Sequence, residues 1–211
     1  MLPSIAFSII TKGDKYNSLS EVISSIRNLS IPNCEIYVCG KNNLTKKELS
    51  GVQILPYNDE INLDKLGKKK NFCNRIIETD IIVHSHDYLC YDVDWWNGYK
   101  RFGFDWDICT NVVIDKSGKR NCDWVRSGFR YASRIDRNVI NCSPIDYDDY
   151  SQMKYQYVPG LYWLSKKYVI DNDPINEDLS AGEMEDVEWS DRVLVKYEFK
   201  MNQYSLTKML K

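Results

Sequence analysis

Two stretches of this chain gather side chains that could do chemistry. The first is Ser85-His86-Asp87, which ends the aliphatic run Ile81, Ile82 and Val83. A carboxylate beside an imidazole can hold a divalent metal ion or meet a nucleotide. The second is GEMEDVEWSDR, where Glu183, Glu185 and Asp186 open a helical pattern. Carboxylates at a helix start complement its dipole, yet three acids packed against a glycine exceed what capping requires. A third stretch, LGKKKNFCNRIIE, carries Lys68, Lys69, Lys70 and Asn71 near the start of another helical pattern. Lysines there oppose the dipole, so either an anion faces them or they form a solvated charge run.

The elements that must position these groups follow from pattern. A short apolar run bounded by polar residues reads as a central strand covered on both faces, and ligands of open α/β sheets collect where such strands end. Ser85, His86 and Asp87 are therefore expected at the mouth of a crevice, with His84 on the opposite side of the strand in a structural role. Upstream, Ile5 to Ile10 predicts a first strand delivering the loop Thr11, Lys12, Gly13, Asp14. Leu19, Val22, Ile23 and Ile26 predict a helix up to about Leu29, capped by Asn17 or Ser18 with Glu21 in a capping-box position. Glu35 to Cys39 and Val52 to Leu55 predict two more strands, the former turning at Gly40 and Lys41. A helix over Leu66 to Glu78 leads into the central strand.

Downstream, Asp92 to Trp96 begins a short helix and Trp106 to Ile114 a strand. Arg126, Arg130 and Arg134 would share a helix face, read mainly as a solvated face balanced by Asp123, Asp136 and the acids of 146–149. Tyr155 to Leu164 reads as a strand interrupted at Pro159-Gly160, where the glycine permits close approach of a ligand to the backbone. The last strand is expected over Leu194 to Phe199, followed by a polar tail. The fold class is thus α/β: a Rossmann-like single domain spanning 1–211, with a mixed, mostly parallel sheet flanked by helices.

Bulk properties narrow the function classes. A chain of 211 residues can bury one sizeable core, and 28 basic against 30 acidic residues give a net charge of −2, which excludes a global field towards nucleic acid or membrane. The apolar start is too short to span a bilayer and lacks a secretory pattern, so a cytoplasmic location is expected, and a monomer is the default for this composition. Seven cysteines without a Cys-x-x-Cys pair fit neither a disulfide framework nor a zinc knuckle. Among the fifteen tyrosines and six tryptophans, Trp95, Trp96, Tyr162 and Trp163 are candidates for a sugar platform, since flat apolar faces with polar edges suit sugar rings.

In their order these pieces resemble the GT-A nucleotide-sugar glycosyltransferases, most similar to the large inverting family of hexosyl transferases. Four places carry the likeness: the first strand followed by Thr11; Lys70-Asn71, similar to that family's Arg-Asn pair; the strand ending Ser85-His86-Asp87; and GEMEDVEWSDR, similar to its Glu-Asp signature. A narrower likeness is to the N-terminal domains of multi-domain glycosyltransferases of chlorella viruses, which decorate a capsid glycan in the host cytoplasm. The resemblance implies a UDP-sugar donor and a glycan or glycoprotein acceptor. It implies Mn²⁺ or Mg²⁺ on Asp87, with His86 in place of the usual acid and Ser85 at the first motif position. It makes Asp186 the catalytic base, with Glu185 the other candidate. Thr11, Lys12, Gly13, Gly40 and Lys41 would sit at the nucleoside, and Lys70 and Asn71 at the nucleotide or diphosphate. Two competing readings are a sugar nucleotidyltransferase, which lacks its glycine- and arginine-rich phosphate loop here, and a non-catalytic carbohydrate-binding domain.

Overall fold

The computed structural model describes residues 2–13, 16–61, 65–126, 143–151, 156–180 and 182–211. Strand β1 (Ile5–Ile10), helix α1 (Tyr16–Asn28), β2 (Cys34–Cys39), β3 (Val52–Leu55), α2 (Leu66–Asn74) and β4 (Ile81–His86) alternate through the first part of the chain. There follow β5 (Leu89–Tyr91), α3 (Trp95–Phe102), β6 (Ile108–Ile114), and three two-residue strands, β7 (Val125–Arg126), β8 (Ser143–Pro144) and β9 (Gln156–Tyr157). The chain then forms β10 (Tyr162–Lys166), α4 (Lys167–Asn172), α5 (Glu185–Val193) and β11 (Phe199–Met209).

Eight strands form the main sheet in the order β3-β2-β1-β4-β10-β6-β11-β5, and β8-β7-β9 form a small second sheet. β1 is parallel to both neighbours, pairing Ile10 with Cys39 of β2 and with His86 of β4, and β3 continues the parallel set with Leu55 opposite Cys39. The strands β1 to β4 therefore all end at one edge. β10 runs against β4, with Tyr162 opposite Ser85, so the residues just before β10 return to that same edge.

Both faces of the parallel strands are covered because successive side chains alternate. Ile5, Phe7 and Ile9 of β1 pack with Leu19, Val22, Ile23 and Ile26 of α1, and with Ile81 and Val83 of β4. Ala6 and Ile10 face the other way, against Cys73, Ile77 and Ile82 beneath α2. A third cluster joins Trp163 of β10 to Val169, Ile170, Trp189 and Val193 of α4 and α5. This is the mixed α/β sheet flanked by helices that the patterning predicts.

Several boundaries differ from expectation: α2 ends at Asn74 instead of Glu78, and β6 begins at Ile108 instead of Trp106. β4 continues through His86, so Ser85 and His86 are strand residues and only Asp87 lies beyond the end. The interrupted strand is split between sheets, with β9 in the small one and β10 in the main one, and a turn bond from Tyr162 N to Pro159 O between them. Asp14, Arg130, Arg134, Asp136 and Tyr155, to which the sequence reading assigned places, lie outside the described residues, while Arg126 is exposed in β7. The last correction is the largest: 194–198 is not a strand, and the expected polar tail is the eleven-residue β11. It escapes a periodicity search because its buried positions include Asn202, Ser205 and Thr207. Each is paired internally: Asn202 Nδ2 donates to Ser205 Oγ, Ser205 Oγ to the Trp95 carbonyl, and Asn111 Nδ2 to Thr207 Oγ1.

Candidate functional site

The common edge of the parallel strands opens into a trough made of three adjoining cavities. The middle one, about 120 Å³, is lined by Thr11 and Lys12 after β1, Lys69 of α2, and His86 and Asp87 at the end of β4. On one side it shares Lys12 and Asp59 with a cavity of about 760 Å³ bounded by Gly40, Lys41 and Tyr57. On the other it shares Leu66, His86 and Tyr88 with a cavity of about 320 Å³ that reaches Gly160, Glu185 and Asp186. The trough thus runs from the ends of β2 and β3, across β1 and β4, to the first turn of α5.

At its centre Thr11 Oγ1 donates to Asp87 Oδ2 at 2.6 Å, and the Gly13 amide donates to the same Thr11 oxygen at 3.0 Å. This chain of bonds fixes a carboxylate that is only 5% exposed. Lys69 is the neighbouring cation. Its Nζ donates to the Thr11 carbonyl at 2.6 Å and lies 2.8 Å from both oxygens of Asp59. Gly40 makes this closeness possible: with φ +112, a Cβ there would sit 2.2 Å from the Thr11 carbonyl oxygen and 2.5 Å from Lys69 Nζ. Gly40→Ala is accordingly expected to cost at least about 1–3 kcal/mol from the backbone strain alone. Gly51 also has positive φ but nothing within 4 Å of its Cβ direction. In thermal melts Gly51→Ala should lose clearly less than Gly40→Ala; equal losses would show that the contact with Thr11 and Lys69 does not matter.

Among the described residues, no three His, Cys, Asp or Glu side chains converge as a metal cluster. The donor set does fit a cation that arrives with a nucleotide. Ions of the magnesium type are commonly held by one or two carboxylates, with phosphate oxygens and water completing the shell. Asp87 and His86 line one cavity and could supply the protein's share.

The far end of the trough is built on α5. Met184, in left-handed backbone conformation at φ 61, turns the chain so that Glu185 and Asp186 form the first helical turn. Asp186 Oδ2 accepts from the Gly160 amide at 2.8 Å and Oδ1 from the Val187 amide at 2.9 Å. Burial, and then the neighbouring Glu185 charge, raise the Asp186 carboxyl above the ordinary aspartate value; Lys70 and the two amides pull against this. Lys70 Nζ donates to the Gly160 carbonyl at 2.9 Å and lies 3.3 Å from Glu185 Oε1. At Gly160 a Cβ would stand 3.1 Å from Asp186 Oδ2, so this glycine admits the chain's own carboxylates.

Several expected roles are thereby redistributed. The lysines of α2 do meet anions, but these are the protein's own: Asp59 for Lys69 and Glu185 for Lys70. Asn71 does not face the trough. Its Nδ2 donates to the Ile175 carbonyl and to Glu177, and its Oδ1 accepts the Ile175 amide, clamping α2 to the chain after α4. Ser85 is 3% exposed and its hydroxyl donates to the His86 carbonyl, so it does not line the trough. Trp95, Trp96, Tyr162 and Trp163 are not a sugar platform. They are 0%, 5%, 1% and 1% exposed. Trp95 Nε1 donates to Asn111 Oδ1 and the Tyr162 hydroxyl, while Trp163 stacks on His84 at 3.7 Å. His84 has the structural place expected of it, with burial depressing its pKa, followed by the effect of Lys70.

Asp59 and Tyr88 line the trough without having been singled out in the sequence. Asp59 follows the end of a parallel strand, the position where ligands gather in such sheets, and that rule could have found it.

No protein-family model matches the sequence, and no curated protein sequence matches it. Solved structures do resemble the fold. GalNAc-T7 with UDP, GalNAc and Mn²⁺ superposes with a TM-score of 0.69 at 11% identity over 99% of this chain and 43% of that one. Residues 1–349 of S. aureus TarS with UDP-GlcNAc give 0.65 at 11% identity over 99% of this chain and 59% of that one. The mannosyltransferase PcManGT of Pyrobaculum calidifontis with GDP-Man and Mn²⁺ gives 0.62 at 11% identity, covering all of this chain and 57% of that one. The chain has the GT-A glycosyltransferase fold, and it spans less than two thirds of the length of these three structures.

Proposed function

We propose that this chain is one GT-A catalytic domain, acting as a monomer. In this reading it is an inverting glycosyltransferase that moves a hexosyl or 6-deoxyhexosyl group from a UDP-sugar to a hydroxyl of a glycan. The observation that carries this reading is one trough that joins the Thr11–Asp87 pair, at the ends of β1 and β4, to the carboxylates of α5. The complexes of GalNAc-T7 and TarS with UDP or UDP-GlcNAc, on the same fold, support it. The narrower sequence likeness adds a viral capsid glycan as the product and the host cytoplasm as the place. Among the described residues, no helix is long and apolar enough to cross a membrane.

The nucleoside would lie in the larger cavity, against Gly40, Lys41 and Tyr57. The diphosphate would lie at Lys12 and Asp87, and the sugar towards Gly160. Asp87 and His86 would hold Mn²⁺ or Mg²⁺, which when bound neutralises charge developing on the departing diphosphate. Asp186 would then take the proton of the acceptor hydroxyl as its oxygen bonds to the anomeric carbon from the face opposite the leaving group. The bond from that carbon to the diphosphate oxygen breaks, and its electron pair leaves with the nucleotide. A carboxyl raised above its ordinary value is well matched to that proton transfer near neutral pH.

The test is calorimetric titration of UDP with and without Mn²⁺, followed by slow hydrolysis of a panel of UDP-sugars. Metal-enhanced UDP binding with hydrolysis of selected donors is the expected result. No UDP binding under either condition would remove the nucleotide-sugar reading.

A further inference from the structure

Glu185 and Asp186 are adjacent in sequence, line the same cavity and stand in one helical turn. Burial, and then the Glu185 charge beside it, disfavour ionisation of Asp186. Something must decide which of them is free to take up a proton. The helix start favours negative charge in general but does not distinguish between the two. Lys70 does. Its side chain is 4% exposed and that of Glu185 7%, so their contact is an ion pair sheltered from water. Its second bond goes to the carbonyl of Gly160, and the amide of the same residue is the donor to Asp186 Oδ2. One ammonium therefore grips Glu185 directly and Asp186 through a single glycine.

Among the described residues, few other ionisable groups surround Asp186. Glu185 comes from its own helix and Lys70 from α2. His86 and Tyr88 line the same cavity from the end of β4. The His84 pKa is depressed by burial and then by the Lys70 charge.

We propose that Lys70 is a positioning residue that divides the labour between the two carboxylates, fixing Glu185 as a paired ion and leaving Asp186, aimed by Gly160, as the proton acceptor. The proposal rests on the glycosyltransferase reading for the reaction that Asp186 serves, but not for the charge coupling itself.

The coupling can be read without any substrate. Protein labelled with ¹³C at aspartate and glutamate carboxyls is titrated by NMR, the Asp186 signal being assigned by its loss in Asp186→Asn. Lys70→Met should move the Asp186 midpoint upward by about one pH unit, as expected when a nearby opposite charge is removed, and Lys70→Arg should bring it back. Glu185→Gln should move it downward. In the donor-hydrolysis assay the acid limb of kcat/KM should travel with the NMR midpoint, a change that loss of packing alone would not produce. An Asp186 midpoint unmoved in a folded Lys70→Met protein would overturn the proposal. Should Lys70→Met not fold, an unmoved midpoint in Glu185→Gln would overturn it equally. Absence of UDP binding and hydrolysis in the wild-type protein, with the NMR shifts intact, would instead sink the glycosyltransferase reading and leave the coupling standing.

Discussion

Asp186→Asn is expected to lower turnover by about 10²-fold or more, while UDP affinity stays close to that of the wild type. The loss corresponds to about 3 kcal/mol of transition-state stabilisation. The asparagine keeps the side-chain shape and one acceptor for the backbone amides of Gly160 and Val187, but it cannot take a proton from a hydroxyl. Because Asp186 lines a different cavity from Thr11 and Asp87, the proposed nucleotide end should be undisturbed. The sign of the pH dependence follows from its environment. Burial and Glu185 raise the carboxyl, and the base must be ionised to work. The acid limb of kcat/KM should therefore lie above the ordinary aspartate value of 3.8 rather than at or below it, with activity rising as pH increases through it. Turnover and its pH profile, measured beside UDP affinity, check all three statements. Unchanged turnover would move the base to another residue, with Glu185 the next to test.

Asp87→Ala should abolish whatever UDP affinity depends on Mn²⁺. In calorimetry the wild-type protein is expected to bind UDP more tightly when Mn²⁺ is present, and the variant to show one affinity in both conditions. A second effect has a different origin. Removing the carboxylate deprives the Thr11 hydroxyl of its acceptor, and a lost bond to a charged group costs about 1.5–3 kcal/mol. The melting temperature should fall with it. Asp87→Asn separates the two effects, since it keeps an acceptor for Thr11 but removes the charge: the metal response should vanish while the melting temperature is largely retained. A variant that still gained affinity from Mn²⁺ would place the ligand elsewhere in the trough.

These predictions use groups that the sequence makes conspicuous, yet in arrangements it does not contain. The run Ile81 to Val83 ending in Ser85-His86-Asp87 announces a buried strand with a polar exit, and the structure has that strand inside the eight-stranded sheet, where it ends the parallel set and pairs with the antiparallel β10. The acids of GEMEDVEWSDR announce a helix start, and α5 begins at Glu185. Both are local signals: a covered strand needs apolar residues on both faces, and a helix start tolerates acids. The lysines of α2 announced an unmet need for anions without naming them. Their partners, Asp59 and Glu185, come from other parts of the chain, and no period in the sequence encodes such a pairing.

The aromatic residues make the opposite point. Trp95 and Tyr162 read equally well as a sugar platform or as core, because the same flat ring with a polar edge serves both. Only their closure around Asn111, which satisfies the indole and phenol groups internally, makes them core. β11 is the companion case, a strand whose buried asparagine, serine and threonine look like a surface tail until their partners on β6 and α3 are in place. The sequence by itself determined the α/β class, the first four strands, the polar ends they deliver and the acidic start of α5, since each depends on residues close together in the chain. The tertiary structure alone decided which polar groups are buried and paired, which lysine meets which carboxylate, and that Thr11, Asp87 and Asp186 share one trough. A polar side chain is costly inside a protein unless a partner meets it, and that partner is supplied by the fold.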